Sequence, residues 1–565
     1  MAASPSGPPS DPITGELDPG SAATPPTSLT RATAVMSVGT ALSRITGFLR
    51  LAVIAWAIGG VESKLPDTYN LANSMPNIVY QLILGEILAT LFVPIFVDYL
   101  TTRAKDEAWR LASTILNLAI IIATGVSVVA VVLAPWIIKI YTFRLHGQDR
   151  IAQEHVGAFF LRLLLPQMIF YAAGAVLTGL LNAHRRFAVP MFAPLLNNVI
   201  VMATFIAFRV IHGHEVPTLT NLSTADQLLL AGGTTLGVIA MTVVLWPFVL
   251  RLKDQRYSAR ELDWRNPAIR HVGTLAKWSL AYVVVNQIGL WIEFALANGV
   301  RGGVTAYQNA FILYQLPYGI FAISIFTALI PTMSEHHVRS DVAAFRNDLS
   351  LGLRTTLFII VPATAGFVAL SQPIVRLLLQ HGVFGPRSTQ LTADTFVLMS
   401  IGLPAFAIFQ QLMRASYARQ NTKTPWIVNS ISVAFNIAVS VPLFLLISVP
   451  GLGLGHALAY IFSAILAGAV LRRQLGAIDG ARLLSSGIRI LIAAAASGAG
   501  AWLFARGLAP AGDVPALGPQ LVQVGGAIVV GLGIYAGLAW AFRLDEFRPL
   551  LRMVGAPFSR RRAEA

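Results

Sequence analysis

"ALSRITGFLRLAVIAWAIGG", Ala41 to Gly60, decides the fold. Most of it is apolar enough for a helix that crosses a bilayer, which takes about 20 such residues. Yet Arg44 and Arg50 lie inside it, on either side of a Thr46-Gly47 step. A guanidinium stays charged, and in hydrocarbon it costs at least about 2.5–3.5 kcal/mol. Arginines at this depth are expected to face protein or a water-filled cavity rather than lipid. Snorkelling to the aqueous face suits Arg44, about eleven residues into its span, better than Arg50 near the middle. Six residues at 100° each put the two about 120° apart on a straight helix. A bend at Thr46-Gly47 would bring both to one lumen.

The rest of the chain carries the same signature. Of its 565 residues 55% are hydrophobic and 12% charged, where a soluble domain has about 25% charged. The net charge of +15 is spread over many short loops, which makes it a topology signal and not a nucleic-acid footprint. There are no cysteines, which excludes disulfides, thiolate metal sites and cysteine nucleophiles. Residues 1–30, rich in Pro, Ser, Gly, Thr and Ala, read as a disordered tail. They lack the basic and apolar regions of a signal peptide.

Apolar runs predict an all-α integral membrane protein with about fourteen transmembrane helices. Their bounds are 33–60, 66–100, 111–141, 156–183, 188–211, 226–250, 272–299, 304–333, 351–371, 389–414, 425–449, 452–471, 484–505 and 519–542. Alternate loops are strongly basic, as at Arg251, Lys253, Arg256, Arg260, Arg265 and Arg270, or at Arg472, Arg473 and Arg482. The others hold little beyond Lys64, Arg144, Arg150, Arg301, Arg376, Arg387 and Arg506. The asymmetry puts both termini in the cytoplasm.

The chain also reads as a duplication. Pro94, Pro135, Pro166 and Pro190 are answered by Pro331, Pro373, Pro404 and Pro425, at separations of 237, 238, 238 and 235 residues. Asp98 and Glu335 follow Pro94 and Pro331, the two members of the first pair, by four residues each. A shift of six spans keeps orientation, so the repeats are parallel and related by a pseudo-twofold along the membrane normal. The expected organisation is a tail over 1–30, an N-lobe of six spans over 31–252, and a C-lobe of six over 253–475. Two extra C-terminal helices occupy 476–545, and a basic tail 546–565.

Further polar residues lie at membrane depth. Asp67 opens the second span and Glu86 sits in its middle. "LANSMPNIVY" puts Asn70, Asn73, Ser74 and Asn77 in one segment, which suits a helix lining water. Glu293 lies deep in span 7, after Lys277, Asn286 and Gln287. Each acid either neutralises an arginine within the bundle or tunes a cavity. Fixed cations in a wet, low-dielectric cavity attract an anion, and arginine pairs with phosphate through its planar fork. No HExxH, phosphate loop or dinucleotide fingerprint appears. The glycines of "GLGLGHALAY" and the Gly533/Gly537 pair read as close helix packing.

"SRITGFLRLAVIA", "MPNIVYQLILGEILATLFVPIF", "LNAHRRFAVPMFAPLLNN" and "YQLPYGIFAISIFTALIPTMSEH" resemble the MurJ/MviN family. Its members are bacterial lipid II flippases of the multidrug/oligosaccharidyl-lipid/polysaccharide exporter superfamily. The likeness covers roughly 31–545, and "QLPYG" resembles the actinobacterial type. It implies two lobes around a cationic cavity, with a groove for the lipid tail formed by the last two helices. The family's two helix-1 arginines match Arg44 and Arg50, and its helix-2 aspartate matches Asp67. The sequence departs from it at Leu51, Tyr80 and Ile312, where many members are charged, and Glu86 is displaced by one from the helix-2 glutamate. Arg301 is the candidate substitute cation. Some relatives bind sodium with acids on helices 7 and 11. Helix 11 here offers Asn429, Ser432 and Asn436 but no acid, so no metal and no cofactor is expected.

The reading is a lipid II flippase of the bacterial cytoplasmic membrane, not an enzyme. It would move undecaprenyl-pyrophosphoryl glycopeptide from inner to outer leaflet by alternating access, driven by the membrane potential. Arg44, Arg50, Asp67, Asn77, Glu86, Glu293 and Arg301 are the candidate substrate-binding residues. The expected partners are lipid II, membrane lipids and the cell-wall synthesis machinery, without nucleic acid. The alternatives are a flippase for another polyprenyl-linked glycan or a drug exporter, which an arginine-lined cavity disfavours. A membrane glycosyltransferase acting on lipid II would need a catalytic carboxylate in a sizeable outside loop, for which Asp149 and Asp513 are poor candidates.

Overall fold

The structure, a computed structural model, describes residues 27–81, 96, 105–184, 186–213, 215–252, 256–263, 267–419, 421–476, 480–509 and 516–547. Among them there is helix and loop but no strand. In chain order the helices are α1 (Thr27–Ile58), α2 (Leu65–Tyr80), α3 (Lys105–Tyr141), α4 (Gly147–Leu164), α5 (Gln167–Ala183), α6 (Ala188–His212), α7 (Thr224–Val243) and the short α8 (Trp246–Leu250). Then follow α9 (Pro267–Ala297), α10 (Gly303–Pro317), a π turn at Tyr318–Ala322, α11 (Ile323–Val338), α12 (Val342–Leu379) and α13 (Pro386–Ser400). The last are α14 (Leu403–Ala418), α15 (Lys423–Ile447), α16 (Val449–Leu475), α17 (Gly480–Gly507) and α18 (Leu517–Ala541).

Eleven described helical stretches are long and apolar enough to cross a bilayer, and α13 with α14, bent by 51° at a short break, makes a twelfth. The last twelve of the fourteen expected spans fall on these. The first lies on α1, and the second begins on α2 and then leaves the described residues.

Proline removes an i→i−4 hydrogen bond and its ring crowds the preceding turn, and the described pairs of repeat prolines fall at matching places in their helices. Pro135 and Pro373 each stand six residues before the last residue of their helix, Tyr141 and Leu379. Pro190 and Pro425 are each the third residue of theirs. Pro166 and Pro404 sit at the breaks that follow α4 and α13. Pro331 lies inside α11, while Pro94 and Asp98 are outside the described residues. Glu335 pairs with Arg339 one turn on, at 2.6 Å.

Helices α1 to α7 pack chiefly on one another, α9 to α16 likewise, and α17 and α18 pack on each other and on α12. The two large sets touch where α2 meets α10, α3 meets α9 and α1 meets α12. Lipid gives no hydrophobic drive for such contacts, so small residues and hydrogen bonds make them. A Cβ on Gly453 would come within 2.6 Å of the Thr395 carbonyl oxygen. That glycine therefore lets α16 lie against α13. Gly533 and Gly537 do not work this way. A Cβ at either would meet nothing within 4 Å, and the α17–α18 contact uses Gly531 against Ala501 and Ser497 instead.

The segment joining the two large sets is strapped to α3. Asn117 Nδ2 donates to the Ser258 and Glu261 carbonyls at 2.9 and 2.8 Å, and the Tyr257 hydroxyl donates to Asn117 Oδ1 at 2.9 Å. Burial pushes the pKa of the Tyr257 hydroxyl up.

Candidate functional site

A chamber of about 720 Å³ opens between the two large helix sets. From one side Arg50 and Ile54 of α1 reach it, with Tyr69, Asn73, Ser74 and Asn77 of α2, Asn197 of α6 and Thr234 of α7. From the other come Asn286, Gln287 and Glu293 of α9, Tyr307, Gln308 and Gln315 of α10, Asn429, Ser432 and Asn436 of α15, and His456 and Tyr460 of α16. The wall is rich in carboxamides. Among its described residues Arg50 is the one arginine or lysine and Glu293 the one carboxylate. The expected cluster of cations is thus a single guanidinium in a wall of neutral donors and acceptors.

Glu293 is buried, and neutral groups hold it. The Tyr307 hydroxyl donates to Oε2 at 2.6 Å and Asn436 Nδ2 to Oε1 at 2.8 Å, while Asn436 Oδ1 accepts from Ser440 at 2.9 Å. Among the described residues it pairs with no arginine. Helix α1 runs unbroken through Thr46-Gly47. That step is a docking point for α6, where Asn198 Nδ2 donates to Thr46 Oγ1 at 3.0 Å and to the Ser43 carbonyl at 3.3 Å. On such a helix Arg44 and Arg50 diverge. Arg50 lines the chamber, whereas Arg44 is exposed and donates to the Gly319 carbonyl in the π turn at 2.9 Å.

A buried polar latch joins the two sets where α2 and α10 begin. Asp67 is fully buried. Its Oδ2 accepts from Lys64 at 3.2 Å and from the Gly302 N–H at 2.8 Å. Its Oδ1 accepts from the Thr305 N–H at 3.0 Å and the Thr305 hydroxyl at 2.9 Å. The acid thus caps the start of α10, where the helix presents unpaired N–H groups. Lys64 in turn donates to the Asn298 and Val300 carbonyls at 2.6 and 3.0 Å. Beside it Glu62 accepts from the Gly385 N–H at 3.0 Å and the Ser388 hydroxyl at 2.8 Å. Loops distant in sequence are stitched together at this end.

Of the candidates named from sequence, Arg50, Asn77 and Glu293 line the chamber. Asp67 belongs to the latch. Arg301 is no substitute cation in the chamber, because it lies in an exposed loop and pairs with Asp149 at 2.8 Å. Glu86 is outside the described residues. Sequence reasoning passed over Lys64, His456, Tyr307 and Gln308. The i,i+3 spacing of "KLPD" was a usable signal for Lys64. His456 sat in a glycine stretch that reads as packing.

The chain matches the family model described as lipid II flippase MurJ over residues 57–516. It is 26% identical over 520 residues to a probable lipid II flippase MurJ of Rhizobium meliloti (strain 1021), covering 91% of this chain and 94% of that one. It is 27% identical over 438 residues to the lipid II flippase MurJ of Burkholderia cenocepacia, covering 75% and 79%. Among solved structures it resembles a lipid II flippase MurJ in an inward closed conformation, with a TM-score of 0.71 and 21% identity over 92% of this chain and 100% of that one. It also resembles an inward-facing MATE-family multidrug transporter of the MOP superfamily, with a TM-score of 0.64 and 13% identity over 77% and 96%.

Proposed function

This chain belongs to the lipid II flippase MurJ family, and from that premise we propose how its chamber and latch perform the transport. The protein is a lipid II flippase, a multi-pass inner-membrane transporter and not an enzyme. Arg50 holds the pyrophosphate of lipid II in the chamber. The observation that carries this is its place as the one described cation in an otherwise neutral wall. In such surroundings a guanidinium grips a diphosphate through paired, charge-assisted hydrogen bonds.

The Asp67 latch closes the chamber on the outer side while the head group enters from the cytoplasm, and its release opens the outer side. Both termini lie in the cytoplasm, consistent with the basic loops. Spans 1–6 (31–252) and 7–12 (253–475) act as the two rocking lobes. Over 476–545, α17 and α18 offer the prenyl tail an apolar face that includes the exposed Leu491, Leu503, Val529 and Leu532. The membrane potential drives the cycle, and the cell-wall synthesis machinery consumes the product. The test is depletion of the protein, complementation with wild type or Arg50→Ala, and leaflet-resolved measurement of lipid II. Wild type restores lipid II on the outer face and Arg50→Ala does not. Full restoration by Arg50→Ala overturns its role.

A further inference from the structure

The pyrophosphate contact leaves much of the chamber wall unused. On α15, Asn429, Ser432 and Asn436 stand at i, i+3 and i+7, one stripe of the helix, and all three face the chamber. On α16, His456, Tyr460 and Ser463 do so at i, i+4 and i+7. Most of these groups are already engaged. Asn436 bonds Glu293 and Ser440, and the Ser432 and Ser463 hydroxyls donate back to the Val428 and Ala459 carbonyls.

Asn429 and His456 differ. They are 4% and 6% exposed, yet neither Asn429 Nδ2 nor His456 Nε2 has a hydrogen-bond partner among the described residues. Buried polar atoms in folded proteins are almost always bonded, so each exception needs a reason. Here both residues line a chamber that receives a ligand. The imidazole is fixed edge-on between rings, with Tyr460, Tyr314 and Phe311 at centroid distances of 4.8, 5.3 and 5.6 Å. The ring is held and one bond is unmade, with Nε2 itself covered in this conformation, so a ligand bonds it once the side chains over it shift.

The chemistry of the wall narrows that partner. No described lysine or arginine lines the chamber from α9, α10, α15 or α16, so a second phosphate finds no charge there. A carboxamide and an imidazole bond neutral amides and hydroxyls. Tyr307, Tyr460 and Phe311 add apolar ring faces beside them, against which a sugar ring packs its C–H groups. We propose that Asn429 and His456 form a carbohydrate subsite, which receives the amide and hydroxyl groups of the N-acetylated sugars while Arg50 holds the pyrophosphate. The inference rests on the lipid II reading above. Its consequence is selectivity for the glycan-bearing lipid over the bare polyprenyl pyrophosphate. A site built to bond a ligand's polar group rejects an analogue that lacks it, because the wall atoms then stay unpaired.

The test compares two probes on the purified full-length protein, lipid II and undecaprenyl pyrophosphate, by equilibrium binding. Asn429→Leu and His456→Phe are each expected to weaken lipid II about tenfold and to leave undecaprenyl pyrophosphate within about twofold. His456→Gln, which keeps a hydrogen-bonding tip, recovers part of the loss. Thermal unfolding screens out variants that fail to fold, and Asn429→Gln then stands in for Asn429→Leu with a smaller loss. Equal weakening of both probes, or unchanged lipid II binding, overturns the subsite. Arg50→Ala in the same assay reports separately on the pyrophosphate reading, because it should weaken both probes. If it weakens neither, that reading fails whatever the Asn429 and His456 variants show.

Discussion

Thr305 donates both its backbone N–H and its hydroxyl to Asp67 Oδ1, at 3.0 and 2.9 Å, and so fastens the start of α10 to the start of α2. With the Gly302 N–H and Lys64 on Oδ2, the carboxylate accepts four hydrogen bonds. Breaking a buried pair by removing one partner costs about 3–5 kcal/mol, because the other charge is left uncompensated. Asp67→Ala should therefore shift the equilibrium toward opening at this end by a hundredfold or more, from about 3 kcal/mol upward. The chain has no cysteine, so Asn77→Cys in the chamber gives a single reporter. Labelling of that cysteine by an impermeant maleimide from outside the cell should speed up in the Asp67→Ala background. An unchanged labelling rate would remove Asp67 from the gate.

Gly302 tests the same latch through the backbone. Its φ is +70°, and a Cβ there would run into Val61. A left-handed conformation costs an L-residue roughly 1–2 kcal/mol even without the clash. Gly302→Ala should accelerate the same labelling, by less than Asp67→Ala does.

The Arg50 prediction concerns charge and shape together. Arg50→Ala should abolish complementation at near-normal protein level. Arg50→Lys should restore part of it, since a lysine keeps the charge but loses the planar fork. Complementation titrated against expression level separates these outcomes. Equal failure of both variants would point to fork geometry alone.

Glu293 should matter to stability as well as to transport. Tyr307→Phe removes the hydroxyl that donates to it at 2.6 Å and leaves one donor, Asn436. Such a loss in a buried site costs about 1–3 kcal/mol. The purified variant should unfold at a lower temperature than wild type. An unchanged Tm would mean that the Tyr307 bond contributes little.

What the sequence disclosed divides along physical lines. Apolar runs act locally, so the spans on α3 to α18 were legible, while Pro166 and Pro404 were read only as marks of a repeat and not as the breaks they stand at. Arg44 and Arg50 were legible only in part. A straight helix sets them about 120° apart, but a bend at Thr46-Gly47 was expected to bring both to one lumen, whereas α1 runs unbroken there and only Arg50 lines the chamber. The latch was not legible. Asp67 meets Gly302 and Thr305 across more than 230 residues, and nothing near either end marks the pairing. Arg301 misled for the same reason, because its partner Asp149 lies far off in the chain, in the first turn of α4. A tertiary hydrogen bond leaves no periodic trace.

The driving force follows from charge. An inside-negative potential favours export of an anion by about 2.3 kcal/mol per charge per 100 mV. Lipid II carries a pyrophosphate, and its peptide adds carboxylates, so the loaded chamber moves several negative charges outward. The return step is different. In the empty chamber the formal charges of Arg50 and Glu293 cancel among the described lining residues, so the potential acts weakly on it. The potential then enters mainly through the substrate, and export should slow steeply as it falls. Collapsing it with a potassium ionophore under matched potassium should stop the appearance of lipid II on the outer face, even while the pH and sodium gradients persist. Relief should depend on substrate charge, so a lipid II analogue with amidated peptide carboxylates should show a shallower dependence on potential. Undiminished export after collapse, with loss only when the proton or sodium gradient is removed, would assign the drive to a coupling ion instead.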